Sequence, residues 1–145
     1  MAKRGRRKPS RKQKNRKKKV EIDPYKRYQK QLRVHHLYPA KKDGICDCGC
    51  GQELTGRQRR WASKKCTDRV VLEFKIIKGD TQVIREELKK RDKSICAECQ
   101  EPADEWQADH ILEVRHGGGG CGLDNFQTLC TKCHKKKTKK NYNKE

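Results

Sequence analysis

Cys96-Ala97-Glu98-Cys99, then Trp106-Gln107-Ala108-Asp109-His110-Ile111-Leu112-Glu113-Val114, then Arg115-His116 and four glycines (Gly117 to Gly120), then Leu123-Asp124-Asn125-Phe126-Gln127-Thr128-Leu129-Cys130-Thr131-Lys132-Cys133-His134: this stretch decides the fold. It opens and closes on a C-x-x-C pair. Two such pairs some thirty residues apart supply four thiolates, the donor set of a tetrahedral zinc with Zn–S bonds of ~2.3 Å. Such a site is closed and therefore structural. A redox reading is weaker, because the pairs occur together and no βαβ pattern surrounds either. Residues 106–114 alternate imperfectly between Pro102 and Gly117, as a strand feeding a wide loop does. Phe126 to Leu129 reads as a short return strand, and the lysine-rich run from Cys130 onward as a helix. His134 near the helix start can then face the end of the first strand. On an extended chain Asp109 and His110 point to opposite faces, so one can hold a metal while the other addresses a nucleophile.

Working towards the N-terminus, residues 81–93 predict a helix with Val83, Ile84 and Leu88 inward. Glu86–Lys90 and Glu87–Arg91 are its expected i, i+4 ion pairs. Gly79 and Asp80 read as a helix stop followed by a helix start. Residues 67–78 hold Val70, Val71, Leu72, Phe74, Ile76 and Ile77, a run that fits helix or strand. Residues 40–66 are loop-like and carry a second cluster, Cys46, Cys48 and Cys50 followed by Cys66. These four can hold a second zinc. The segment 56–66 resembles zinc fingers whose second half reads C-S-x-x-C, but Ala62 stands where the third cysteine falls, so Cys46, Cys48 or Cys50 has to replace it. Residues 20–38 predict one short helix, with Asp23 as N-cap, Pro24 at the first helical position and Pro39 as the stop. Tyr25, Tyr28 and Leu32 recur at helical spacing. His35 and His36 read as a polar helix end. Cys121, the ninth cysteine, reads as a free thiol.

The charge sits at the ends. The 145 residues carry 39 Lys plus Arg against 19 Asp plus Glu, a formal net charge of +20. Residues 1–19 contain 12 of those cations and no acid, which predicts a disordered arm. The stretch from Lys132 to Glu145 adds seven lysines against one Glu, leaving the centre nearly neutral. Two basic ends point to phosphate, through counterion release. The arm has no apolar face for a membrane. No run of 18 apolar residues exists and no export signal precedes the body, so the expectation is a cytoplasmic protein in a reducing compartment. The apolar class is 31%, a thin core that needs metal staples.

The central stretch resembles the HNH nucleases, built on the ββα-metal finger. The matching residues are Asp109-His110, Asn125 and His134, bracketed by the C-x-x-C pairs, over roughly Val83 to Thr138. Phosphodiester hydrolysis needs a water to be deprotonated and aimed, added negative charge to be neutralised and the leaving oxygen to be stabilised. An imidazole suits the first task and a divalent cation the other two. The resemblance implies His110 as general base, with Asp109 and His134 on one catalytic divalent metal, Mg²⁺ or Mn²⁺ first. Asn125 then either fixes the loop and orients His110 or joins the metal.

The expected architecture is a small α+β protein. A disordered basic arm (1–19) precedes a helix with a Cys-rich zinc module (20–79), and an HNH domain with a basic tail follows (80–145). Its finger is stapled by zinc on Cys96, Cys99, Cys130 and Cys133. The expected function is metal-dependent cleavage of DNA, double-stranded first, with no membrane partner. Arg57, Arg59 and Arg60 beside Trp61, and Lys135, Lys136 and Lys137, are the candidate nucleic-acid contacts. Gly117 to Gly120 serve either as a linker or to let the loop approach the DNA backbone. The alternative is a non-catalytic zinc protein that binds DNA or RNA, which leaves Asp109, His110, Asn125 and His134 unexplained. The sequence does not decide between monomer, homodimer and a protein partner.

Overall fold

The computed structural model describes residues 24–142. The basic arm at 1–19 and the Asp23 cap lie outside these residues. The chain runs α1 (Pro24–Gln31), α2 (Val34–Leu37), α3 (Lys64–Lys78), α4 (Thr81–Asp92), β1 (Trp106–His110), β2 (Phe126–Cys130) and α5 (Thr131–Tyr142). It is a small α+β protein, with a two-stranded sheet among helices.

The single helix expected up to Tyr38 is broken between α1 and α2. Leu32 is buried to 1% exposure, and Arg33 takes up extended backbone (φ −129°, ψ 156°). The Arg33 N–H donates to His36 Nδ1 at 3.0 Å, which caps α2. Burial of Leu32 and this local cap outweigh helix continuity, and neither is visible in residue spacing.

The ambiguous run 67–78 is helical. Ser63 caps α3 by accepting from the Cys66 N–H at 3.2 Å. Gly79 ends it in the left-handed region (φ 83°), a conformation that glycine adopts without strain. Asp80 then caps α4, its carboxylate accepting from the Val83 N–H at 3.3 Å. The helix stop and start fall at Gly79 and Asp80, where they are expected. The ion pairs on α4 differ from expectation. Lys90 pairs with Glu87 at 2.5 Å, one turn position nearer than Glu86. Arg91 binds Asp92 at 2.6 Å and donates to the Leu123 and Phe126 carbonyls, so it is drawn off the helix surface onto the strand-bearing loop.

β1 pairs antiparallel with β2, from Trp106 opposite Cys130 to His110 opposite Phe126. Strand alternation gives this hairpin two faces. Trp106 and Phe126 turn towards α4 and join Ile76, Ile84 and Leu88 in the main core. Thr128 on the same face is fully buried, and its hydroxyl donates to Asp92 Oδ2 at 2.8 Å. Arg91 holds the Asp92 carboxyl below the ordinary carboxylate range; burial opposes this and the Thr128 hydroxyl adds to it. Asp109 and Gln127 turn to the other face, where α5 packs. α3 joins two small cores: Ile76 lies in the main one, while Cys66 and Val70 lie with Cys46 and Cys48 in the second. Among the described residues no helix is long and apolar enough to cross a membrane.

Candidate active site and zinc clusters

Cys96, Cys99, Cys130 and Cys133 converge. Their sulfurs all lie within 4.8 Å of one another. Four thiolates at ~2.3 Å from one tetrahedral ion fit this spacing. The first pair sits on a tight turn in which Gln100 adopts φ 60° and its N–H donates to the Cys96 carbonyl at 2.9 Å. The second pair straddles the β2–α5 junction, with the Cys133 N–H donating to Cys130 Sγ at 3.4 Å. Burial disfavours the Cys96 thiolate, but backbone N–H groups of Cys130, Cys99 and Glu98 outweigh it and bring the pKa down to about 6. The neighbouring Cys130 thiol, with burial, pushes Cys133 up to about 12. A dication would relieve the repulsion that keeps the proton on Cys133.

The second cluster also closes. Cys46, Cys48, Cys50 and Cys66 lie within the same 4.8 Å limit. The departure at Ala62 is explained locally: its backbone N–H donates to Cys46 Sγ at 3.2 Å, so residue 62 serves the cluster through its main chain. Asp47, in the middle of the cysteines, is buried. It accepts from Arg60 Nε at 2.8 Å and from the Lys41 N–H at 2.9 Å. Burial alone would raise the Asp47 pKa, but Arg60 and Lys41 outweigh it and hold it below 3.8. Both clusters can hold zinc.

The titratable side chains of the hairpin end are split between its two faces. On the α5 face, Asp109 Oδ1 lies 3.8 Å from His134 Nε2. Asp109 Oδ2 accepts from Lys137 Nζ at 2.5 Å and Gln127 Nε2 at 2.9 Å. Lys137 also donates to the His110 carbonyl at 2.5 Å, tying the strand end to the helix. One carboxylate oxygen is thus saturated while the other is aimed at an imidazole nitrogen. That pair suits a hard divalent cation with few protein ligands. On the α4 face, the His110 ring lies 4.4 Å from the Phe126 ring. It borders a cleft of about 250 Å³ with Gln29, Thr81 and Ile84. His110 Nε2 is buried there without a hydrogen-bond partner. Burial holds the His110 pKa below 6.5; Asp109 pulls it up and Lys137 pushes it further down. The ring is therefore a neutral imidazole with a free nitrogen at pH 7.

Asn125 bridges the loop. Its Oδ1 accepts from the Leu112 N–H at 2.9 Å, and its Nδ2 faces the Leu112 carbonyl at 3.0 Å, the Gly118 carbonyl at 3.0 Å and Cys121 Sγ at 3.2 Å. Cys121 is thus packed beneath the loop with Asn125 as its neighbour. Gly118 has an internal purpose. A Cβ on Gly118 would stand 1.7 Å from the Leu112 carbonyl oxygen, so only glycine fits where the loop crosses itself.

The cationic candidates fall into two groups. Arg57 and Arg59 are exposed beside Lys64 on one groove. Arg60 differs from expectation. Its guanidinium is taken up by Asp47, by the Tyr38 carbonyl at 2.5 Å and by the Trp61 ring at 4.7 Å, so it holds the module together. Lys135 and Lys136 are exposed, whereas Lys137 is half-buried against Asp109. Sequence reading missed the Asp109 partners. The signal was present: Lys137 follows His134 by three residues on one helix face, and Gln127 stands opposite Asp109 in register.

The HNH endonuclease family model matches residues 96–140. The chain is similar to the DNA annealing helicase and endonuclease ZRANB3 of Mus musculus and of Homo sapiens, 67% identical in each case over 33 residues. The Bos taurus protein of the same name is 64% identical over 33 residues. Each match covers 23% of this chain and 3% of the relative, and lies in the HNH region. No solved structure matches the chain at a significant level. Both C-x-x-C pairs, the divided Asp109/His110 strand end and the Asn125-pinned loop fall inside the stretch, residues 96–140, that the HNH endonuclease family model matches.

Proposed function

We propose that this chain is a DNA endonuclease that hydrolyses phosphodiester bonds with one divalent metal. The reading is carried by the strand end that sets a free neutral imidazole on one face and a carboxylate–imidazole pair on the other. The zinc clusters fix the hairpin and helix but keep no position open for chemistry. His110 acts as the general base through Nε2, which is buried without a hydrogen-bond partner. The ring meets water when it swings from its cleft or the cleft opens. Asp109 and His134 hold the catalytic cation, Mg²⁺ or Mn²⁺, which supplies Lewis-acid neutralisation of the phosphate when bound. Gln127 and Lys137 keep Asp109 Oδ1 aimed at His134. Asn125 positions the loop. Lys135, Lys136, Arg57 and Arg59 bring in the phosphate backbone of double-stranded DNA. The units are a basic arm at 1–19, a zinc module at 20–79 and the nuclease domain at 80–145.

A second reading, a zinc protein that binds nucleic acid without cutting it, is favoured by one pair of observations. His110 Nε2 is closed from solvent, and an ammonium sits on Asp109. Manganese binding separates the two. Electron paramagnetic resonance of the zinc-filled chain titrated with Mn²⁺ should show one bound ion that Asp109→Ala abolishes. A wild-type chain with no such ion favours the second reading.

A further inference from the structure

Lys137 stands one helical turn after His134 on α5, and its ammonium reaches back to the strand end. It lies 2.5 Å from Asp109 Oδ2 and 2.5 Å from the His110 carbonyl oxygen. Asp109 is the carboxylate that, with His134, would hold the catalytic cation, so a monovalent cation already occupies one of its oxygens. Asp109 does not depend on that pairing for its orientation. Gln127, opposite it in register on β2, donates from Nε2 to the same oxygen at 2.9 Å. Nor is Lys137 sealed in, since its side chain is 24% exposed against 14% for Asp109. It borders a groove of about 580 Å³ together with Lys136 and Lys140. Those two lysines carry no ion pair among the described residues, and Glu98 is the one acid among the described residues lining the groove.

We propose that Lys137 is a placeholder for the catalytic cation: its ammonium sits on Asp109 while no DNA is bound and moves to a backbone phosphate when the duplex arrives, so that metal and DNA bind cooperatively. The inference rests on the nuclease reading, since it needs a cation on Asp109 and His134. The ammonium offsets the negative charge of Asp109, and a dication brought to Oδ1 meets a like charge across one carboxyl group. Mg²⁺ prefers an octahedron of oxygens and is held by one or two carboxylates with substrate phosphates rather than by an all-protein cage. A duplex phosphate therefore helps the cation twice, as a ligand and by drawing the ammonium away. Lysine suits that exchange, being a point charge on a flexible stem, where an arginine fork would stay locked to the carboxylate. A phosphate in the groove of Lys136 and Lys140 competes for the ammonium directly. Whatever factor DNA adds to the metal affinity, metal adds to the DNA affinity. The sequence expectation that Lys137 meets phosphate and the bond that it makes to Asp109 are then two positions of one side chain.

The test uses the full zinc-loaded chain in a His110→Ala background, which keeps the duplex uncut and leaves the Lys137 bond to the main-chain carbonyl of residue 110 in place. Mn²⁺ affinity is read by electron paramagnetic resonance, with and without a short duplex. With Lys137 present, one Mn²⁺ should bind weakly alone and about tenfold tighter with the duplex, within the usual range of coupling between sites. Lys137→Met, close in shape but uncharged, should bind Mn²⁺ about tenfold tighter alone and gain a smaller factor from the duplex. Fluorescence anisotropy should show the reciprocal loss, with Mn²⁺ tightening DNA binding less in the variant. The sign separates a placeholder from a structural staple, because losing a staple would slacken Asp109 and weaken Mn²⁺ binding. If the methionine variant loses zinc or melts early, Lys137→Gln replaces it. Equal or weaker Mn²⁺ binding by the folded variant, or the same duplex factor in both proteins, overturns the inference and leaves the nuclease reading standing. No Mn²⁺ on either protein, with or without the duplex, refutes both.

Discussion

Asn125→Asp is the sharpest perturbation of the loop, because it changes almost no volume. The wild-type amide accepts once and donates towards two carbonyl oxygens and a sulfur. The carboxylate keeps the acceptor and loses both donors. Two lost hydrogen bonds at about 1 kcal/mol each, with a charge added against two carbonyl oxygens, give a cost of about 3 kcal/mol. Nothing else near Asn125 can replace the donors, since Gly118 offers only main chain. For a chain of this size that cost lowers the melting temperature by about 6–12 °C. The assay is thermal unfolding in zinc-saturated buffer, with amide exchange read at Leu112 and Gly118. The sign with pH is distinctive. Near pH 4 the new carboxyl takes up a proton and regains one donor, so part of the loss returns; Asn125→Ala shows no such recovery. A melting shift below about 2 °C, or equal losses for both variants at pH 4 and pH 7, would refute the reasoning.

Other expected outcomes concern the remaining parts of the structure. Cys96→Ser should release one zinc per chain and leave the hairpin–helix unit unfolded, which colorimetric zinc titration and circular dichroism check; a folded variant with full zinc would remove the structural role. Cleavage should stay level from pH 8 down to pH 7 and fall only below 6.5, because the folded pKa of His110 lies below that value and the ring protonates as pH drops through it. The same protonation should destabilise the fold on the acid side, since the unfolded chain takes up that proton first. Asp47→Asn should cost about 2–4 kcal/mol by leaving Arg60 without its partly buried partner. The stability that Asp47 contributes is present above 3.8 and lost as pH falls through its lower folded pKa, so the variant and wild type should converge in acid.

The parts of the fold that were legible rest on strong local chemistry. The C-x-x-C pairs, the Gly79–Asp80 break and the return strand at Phe126 each have one physical solution at short range. The alternation that separates Asp109 from His110 is a property of any strand. What was illegible depends on packing between distant segments. The break at Leu32 follows from where that side chain finds a core. Arg60 reads as a surface cation and Arg91 as a partner of Glu87, because the Arg60 partners lie 13 and 22 residues away and the Arg91 carbonyl partners 32 and 35 residues away. Lys137 reads in the sequence as a phosphate contact, whereas its ammonium sits on Asp109. The glycines at 117–120 read as a linker or as a close approach to DNA, and Gly118 is there because the loop crosses the Leu112 carbonyl.

The central claim is that residues 96–140 cut DNA with His110 as the base. Its most direct test is nicking of supercoiled plasmid by the zinc-loaded chain with Mg²⁺ or Mn²⁺, wild type beside His110→Ala. The account predicts relaxed or linear DNA from wild type alone, with both proteins folded, zinc-filled and equally able to shift DNA on a gel. Cleavage by His110→Ala at the wild-type rate, or no cleavage by either protein while both bind DNA, would contradict it.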